Sequence, residues 1–164
     1  SLGHRNPQGL TVINKENIFS SEHGPYGGDE INKIIENKNY GWPYYTYGTD
    51  YGKKTWPLIK NKIKLENYIE PIISWTPSIA VSQIVFYNSN YFEKWKNSLL
   101  VSTLKNKSIY RIIMSKNFEQ VKNIEEIKIG YRIRDIIVDR KGRLIILTDT
   151  KDNNEIPKIL IINK

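Results

Sequence analysis

The chain has 164 residues, enough for one ordinary core, and its 39% hydrophobic and 26% charged content is that of a globular protein and excludes a disordered one. It contains no cysteine, which excludes a disulfide, a thiolate nucleophile and a Cys-ligated metal, and no apolar run approaches membrane-spanning length. The net charge of +8 admits nucleic acid, an anionic surface or an anionic small ligand, yet the lysines are scattered among Asn and Ile with no run of five like charges, so most of them read as solvated faces.

Isoleucine dominates the apolar residues, beside 11 Tyr and 4 Trp, a vocabulary that favours strands. The chain opens on Gly3-His4-Arg5-Asn6-Pro7-Gln8-Gly9-Leu10, and Ser21 to Asn32 is similarly dense in polar, Gly and Pro residues. Such stretches are either turn-rich connections or backbone shaped to present oxygens and amides to a ligand. Leu10 to Asn14 and Asn17 to Ser21 are apolar runs that predict paired strands about a tight turn at Lys15-Glu16. From Gly24 to about Pro57 the pattern predicts a long loop with one helical turn near Glu30 to Glu36, and loops of that length are usually functional.

Strands are then expected at Ile69–Trp75, Val81–Tyr87, Ser98–Leu104, Ser108–Met114, Gln120–Ile129, Ile133–Asp139, Arg143–Thr148 and Ile156–Ile162. Two trios repeat within this series: Ile84–Tyr87, Leu99–Leu104 and Ile109–Met114, then Asp135–Val138, Leu144–Asp149 and Lys158–Asn163. Corresponding strands stand roughly 45 to 50 residues apart, the spacing of four-stranded propeller blades. The expected fold is therefore all-β, about three four-stranded antiparallel blades of a β-propeller, with a free-standing antiparallel sandwich as the rival. Because the first residues already belong to a motif, residues 1–164 are expected to be the C-terminal half of a longer domain.

Four ordered motifs carry a resemblance: Gly3 to Leu10, Glu22-His23-Gly24-Pro25 with Gly28-Asp29-Glu30-Ile31-Asn32, Asn39-Tyr40-Gly41-Trp42-Pro43, and Tyr131-Arg132-Ile133-Arg134-Asp135. Together they resemble the soluble glucose/sorbosone and aldose sugar dehydrogenases, six-bladed propellers that use pyrroloquinoline quinone (PQQ) and calcium. The resemblance spans this chain but only the second half of that domain. It implies that the carbonyls of Gly24 and Pro25 hold the calcium that grips the quinone, calcium being a hard cation served by oxygen ligands. Glu30, the Tyr40 carbonyl and Asp50 would hold a second, structural calcium; Glu30 on its own also reads as a helix-start residue.

The same resemblance sets Arg132, Arg134 and Lys105 at the carboxylates of PQQ, with Ser78 near a further cofactor contact. Arg132 and Arg134 lie two apart on an expected strand and so share a face, where guanidinium forks suit carboxylates; an exposed basic strand edge is the plainer reading. Arg5 and Asn6 would face the quinone oxygens and stabilise the charge that grows there, unless Arg5 only braces a loop. Gln8 and His23 would line the substrate pocket. The family's general-base histidine would lie upstream of Ser1, since His4 and His23 stand elsewhere in the motifs.

One departure is plain: the usual Ala-Pro-Ser-Gly is Ala80-Val81-Ser82-Gln83, which removes two backbone constraints. The implied activity is oxidation of an aldose C1 hydroxyl by hydride transfer to PQQ, in a periplasmic or secreted protein with an unidentified electron acceptor. The alternative is a calcium-stabilised propeller that serves as a binding or scaffold module without redox chemistry. Neither reading involves nucleic acid or a membrane span.

Overall fold

The computed structural model of the chain describes residues 1–52, 54, 68–151 and 156–164. They form two compact units, Ser1–Val81 and Ser82–Lys164.

In the first unit, strands β1 (Pro7–Val12), β2 (Ile18–Glu22), β3 (Asp29–Lys33) and β4 (Ile73–Trp75) form one sheet in chain order, antiparallel throughout. The β1–β2 turn is held by Asn14, whose side-chain oxygen accepts from the backbone N–H groups of Glu16 and Asn17 at 3.0 and 2.9 Å. β1 starts inside the opening motif, because Pro7 to Leu10 pair with Ser20 to Glu22.

The helical turn expected near Glu30 is replaced by β3. This strand pairs with β2 on one side and β4 on the other, and Ile31 is fully buried. Ladder bonds along both edges and core burial override local propensity. Of the expected loop to about Pro57, residues 53 and 55–57 lie outside the described residues.

In the second unit, β5 (Val81–Tyr87), β6 (Ser98–Thr103), β7 (Ser108–Met114) and β8 (Val121–Lys128) form a four-stranded sheet. A second sheet contains β9 (Arg132–Val138), β10 (Leu144–Asp149) and β11 (Ile159–Ile162), in the order β11-β10-β9. The last blade thus has three strands among the described residues where four were expected. Tyr87, Leu100, Ile109, Ile133, Ile136, Leu144 and Ile146 are all fully buried in the core between these sheets. The inner hydroxyl of Ser82 ties three strands together, donating to the Ile133 carbonyl and meeting Ser102 Oγ, both at 2.7 Å.

A short 3-10 turn, Glu93–Trp95, was not expected from the sequence; it brings Phe92 and Trp95 onto the Tyr87 ring. The Tyr87 hydroxyl donates to the Gly142 carbonyl at 2.6 Å and accepts from Phe92 N at 3.0 Å. Gly142 has φ +86°, and an added Cβ would sit 1.8 Å from Ser89 Oγ, so the β9–β10 turn requires glycine. Tyr87→Phe leaves a buried carbonyl and an amide without their partner. It should lower stability by about 1–3 kcal/mol, read as a drop in thermal midpoint with an unchanged β spectrum.

Candidate cofactor and metal centre

In the first unit, the site is organised by Asp29, 1% exposed at the start of β3. One carboxylate oxygen accepts from Ser78 Oγ at 2.6 Å, Ala80 N at 2.6 Å and Val81 N at 3.4 Å. The other accepts from Gly24 N at 3.3 Å. One buried carboxylate thus fixes both the Gly24-Pro25 turn and the segment from Ser78 to Val81. The turn itself demands glycine, since a Cβ on Gly24 would fall 2.1 Å from the Gly27 carbonyl oxygen and 2.3 Å from that of Gly28. Backbone carbonyls are crowded here as only a glycine permits.

A small recess is lined by Arg5, Glu22, His23, Gly24, Glu30 and Tyr40, five of them residues singled out in the sequence. A cavity of about 160 Å³ shares Glu30 and Tyr40 and continues among Tyr45, Tyr47 and Tyr68. Arg5 donates to the His23 carbonyl and to the Tyr51 hydroxyl, both at 3.1 Å, and its guanidinium lies 5.3 Å from the Trp42 ring centre. Its Nε is buried with no hydrogen-bond partner among the described residues. The His23 ring donates through Nε2 to the Val81 carbonyl, which settles its tautomer and orients the ring.

Glu22, 3% exposed, faces Glu30 across the β2–β3 register. Asn32 Nδ2 donates to both carboxyls, at 2.8 Å to Glu22 and 3.4 Å to Glu30, while Asn32 Oδ1 is buried and unpaired among the described residues. Burial, then the charge and hydrogen bond of Glu22, push the Glu30 carboxyl up to about 8. His4, stacked on Tyr40, brings Nδ1 to 3.6 Å from Glu22.

Asp50, Asn6, Gln8, Pro25 and Ser78 do not line the recess. The Asp50 carboxylate accepts from Gly52 N at 3.2 Å. Asn6 and Gln8 are exposed and bond to each other at 2.9 Å. Pro25 is buried, and Ser78 is committed to Asp29. The tyrosine of the Asn39-to-Pro43 motif uses its hydroxyl to donate to the Lys33 carbonyl at 2.6 Å.

In the second unit, Arg132 and Arg134 share one face of β9 and both donate to Asp149 Oδ2, at 3.3 and 2.6 Å. Arg132 also reaches the Leu104 carbonyl at 3.3 Å, and its Nε is buried without a partner among the described residues. Partial burial of Asp149 works against its charge, but hydrogen bonds from Arg134, Thr150 N and Arg132 prevail and hold its carboxyl below the ordinary range. Among the described residues these two cations share one carboxylate. Lys105 is exposed, next to Leu104 at the end of the β6 segment.

Sequence reasoning missed Asp29 and Glu22 as site builders, Trp42 beneath Arg5, and Asp149 between the arginines. Asp29, Glu22 and Trp42 stand inside the quoted motifs, but their partners are up to 52 residues away in the chain. Asp149 had no local signal at all.

Each unit is built of open antiparallel sheets, and each carries guanidinium and carboxylate groups at its strand ends and connecting loops. The chain belongs to the glucose/sorbosone dehydrogenase family, whose profile matches residues 1–160. It is similar to the aldose sugar dehydrogenase YliI of Escherichia coli K12, 40% identical over 162 residues, covering 97% of this chain and 43% of that protein. It is also similar to quinoprotein glucose dehydrogenase B of Acinetobacter calcoaceticus, 28% identical over 206 residues, covering 93% of this chain and 43% of that protein. A crystal structure of a glucose dehydrogenase superposes with a TM-score of 0.84 at 35% identity, covering 99% of this chain and 46% of that one. The chain therefore spans less than half the length of these relatives, and the partial all-β propeller expected from the repeats is what it forms.

Burial holds the Glu30 carboxyl raised in the folded protein. Its folded-state value of about 8 lies above the ordinary 4.5, so the folded form retains a proton that the unfolded chain has released. This contribution to stability is fully present below 4.5 and is lost as pH rises through about 8. In metal-free protein the thermal midpoint should fall across that window, and Glu30→Gln should flatten the fall. An unchanged slope in the variant would assign the effect to another group.

Proposed function

We propose that the full-length protein to which this chain belongs is a PQQ- and calcium-dependent dehydrogenase that oxidises the C1 hydroxyl of an aldose. Bound PQQ would supply the redox chemistry, taking hydride from the sugar onto a quinone whose oxygens gain negative charge.

The observation that carries the proposal is the pair Arg132 and Arg134, which among the described residues share the one carboxylate of Asp149 and leave one buried Nε unused. That donor surplus suits a ligand bearing several carboxylates. Arg132, Arg134 and Lys105 are the residues assigned to hold it. Arg5 and Asn6 are assigned to the quinone oxygens, where a fixed cation stabilises the transition state more than the ground state. Arg5 also has an unused buried Nε and is held in place by the His23 carbonyl and Tyr51. Ser78, through its place beside Asp29, supports the loop and is assigned a cofactor contact.

The donor chemistry suits calcium too. The carbonyl oxygens of Gly27 and Gly28 crowd the Gly24 turn, and the carbonyls of Gly24 and Pro25 are assigned to the catalytic cation. Glu30, the Tyr40 carbonyl and Asp50 are assigned to the structural one. Among the described residues no three His, Asp or Glu side chains form a metal cluster, so carbonyl oxygens would have to complete either ligand set. A cation beside Glu30 would relieve the repulsion that now keeps a proton on the Glu22–Glu30 pair. His23 and Gln8 are assigned to the pocket wall.

A general-base histidine is assigned to the part of the protein outside these residues, so this chain alone should not turn over. We place the protein in the periplasm or outside the cell. No helix of the described residues is long and apolar enough to cross a membrane, which leaves that placement to be tested by fractionation.

The full-length protein, loaded with calcium and PQQ, should oxidise aldoses with an artificial dye as acceptor. Replacing Arg132 and Arg134 together with Ala should weaken PQQ binding on the order of 100-fold or more, since each charge-assisted hydrogen bond contributes roughly 1.5–3 kcal/mol. Quinone titration with circular dichroism as a folding control measures this. Unchanged affinity would reassign the pair to the protein surface.

A further inference from the structure

The net charge of +8 is not shared evenly: residues 82–164 hold 16 Lys and Arg against 9 Asp and Glu, so the second unit carries +7 of it. Arg132 and Arg134 account for part of this charge, where β9 begins. A larger share stands at the other end of the same sheets, on the β5–β6, β7–β8 and β9–β10 connections and just after β11. There Lys94, Lys96, Lys116, Arg140, Lys141 and Lys164 are all exposed. Of the carboxylates on these connections, Asp139 is held by Arg143 at 2.7 Å, which leaves Glu93 and Glu119 against the six cations.

Packing inside the unit brings the three connections together. The Tyr87 hydroxyl bonds the Gly142 carbonyl, and a Cβ on Gly142 would fall 1.8 Å from Ser89 Oγ and 2.8 Å from Tyr91 Cβ. The β5–β6 and β9–β10 connections therefore touch across the two sheets. Phe86 meets Phe118 edge-on at 5.7 Å, which ties the β7–β8 connection to β5. Lys164 donates its backbone N–H to the Tyr91 hydroxyl at 3.4 Å, and its ammonium lies 5.3 Å from the same ring's centre. Tyr91, Phe92, Trp95 and Phe118 are thus half-buried rings set among lysines. None of the unit's exposed large apolar residues belongs to these connections.

We propose that this end of the second unit docks on an anionic lipid surface. Cations on several turn tips, and not around a pocket, match a plane of headgroup charge. Tyrosine and tryptophan are the rings that favour a membrane–water interface, and the lack of an exposed apolar wedge keeps the contact peripheral. Topology then sets the orientation. β9 has 7 residues, about 20 Å of strand, between the Arg132 end and the Arg140-Lys141 turn. A protein held by that turn presents Arg132 and Arg134 to the aqueous side, where a soluble ligand arrives without crossing the contact. The inference uses the charge and topology of the second unit and not the redox assignment, so either can fail without the other.

The test uses the full-length protein without cofactor and phosphatidylcholine vesicles containing phosphatidylglycerol. Co-sedimentation should be strong at low ionic strength, weaken as salt screens the contact, and be absent on phosphatidylcholine alone. Each cation at such a surface contributes roughly fivefold in affinity, so Lys96→Gln, Arg140→Gln and Lys141→Gln together should weaken binding on the order of 100-fold. Lys107→Gln, Lys128→Gln and Lys158→Gln lie at the opposite end of the unit. At physiological salt, where screening acts over about 8 Å, this second triple should change affinity less than about twofold. Thermal midpoints check the fold of both variants. Equal losses from the two triples would overturn the proposal, because they would report net charge alone. So would equal binding to neutral vesicles, or no vesicle binding at all, including a protein that ignores vesicles and takes up duplex DNA.

Discussion

The Asp29 carboxylate is the constraint on which the first unit's site depends. It is buried, and a buried polar group is tolerated only when its hydrogen-bonding capacity is well used. Here it receives donors from two stretches far apart in sequence, Gly24 on one side and Ser78 to Val81 on the other. Losing it would strand several amides at once, each with a desolvation penalty of about 1–3 kcal/mol. It also explains how Ala80-Val81-Ser82-Gln83 keeps a defined shape without the family's Pro and Gly. Ala80 adopts φ +55°, a left-handed conformation costly for alanine, and the short bond from its N–H to Asp29 is what holds it there.

The two units carry opposite imbalances of charge. In the first, Glu22 and Glu30 face each other; Asn32, the Arg5 backbone N–H and His4 offer relief, yet burial and the Glu22 charge keep the Glu30 carboxyl well above the ordinary range. In the second, Arg132 and Arg134 divide one Asp149 between them. A fold selected for stability alone would match such groups one to one. An uncompensated acid pair suits a cation, and an uncompensated guanidinium pair suits an anion.

What the sequence disclosed follows the range of the interactions involved. β5 and β7 run over the residues expected, because turn signals and apolar runs are local. The shared face of Arg132 and Arg134 was legible from their spacing of two. β3 was not: Asp29, Glu30 and Asn32 look like a solvated turn, and they are buried only because β2 and β4 flank them, with β4 some 40 residues further on. Asp149 was illegible for the same reason, since it meets the arginines through the β9–β10 register and not through any motif. The four motifs led to the family correctly, though their buried acids serve as scaffolding as much as the residues first singled out.

The contrast between β8 and β11 bears on how the chain should be handled as a molecule. Charged side chains on an edge strand are inexpensive insurance against mispairing, and β8 has them. Isoleucines on both faces of β11 would be a hazard in any free-standing sheet, because an apolar strand with open backbone groups is a template for aggregation. Such a strand is stable in a soluble protein only where something covers it. Among the described residues β11 pairs with β10 alone, so its outer side is where this sheet has room for a further strand.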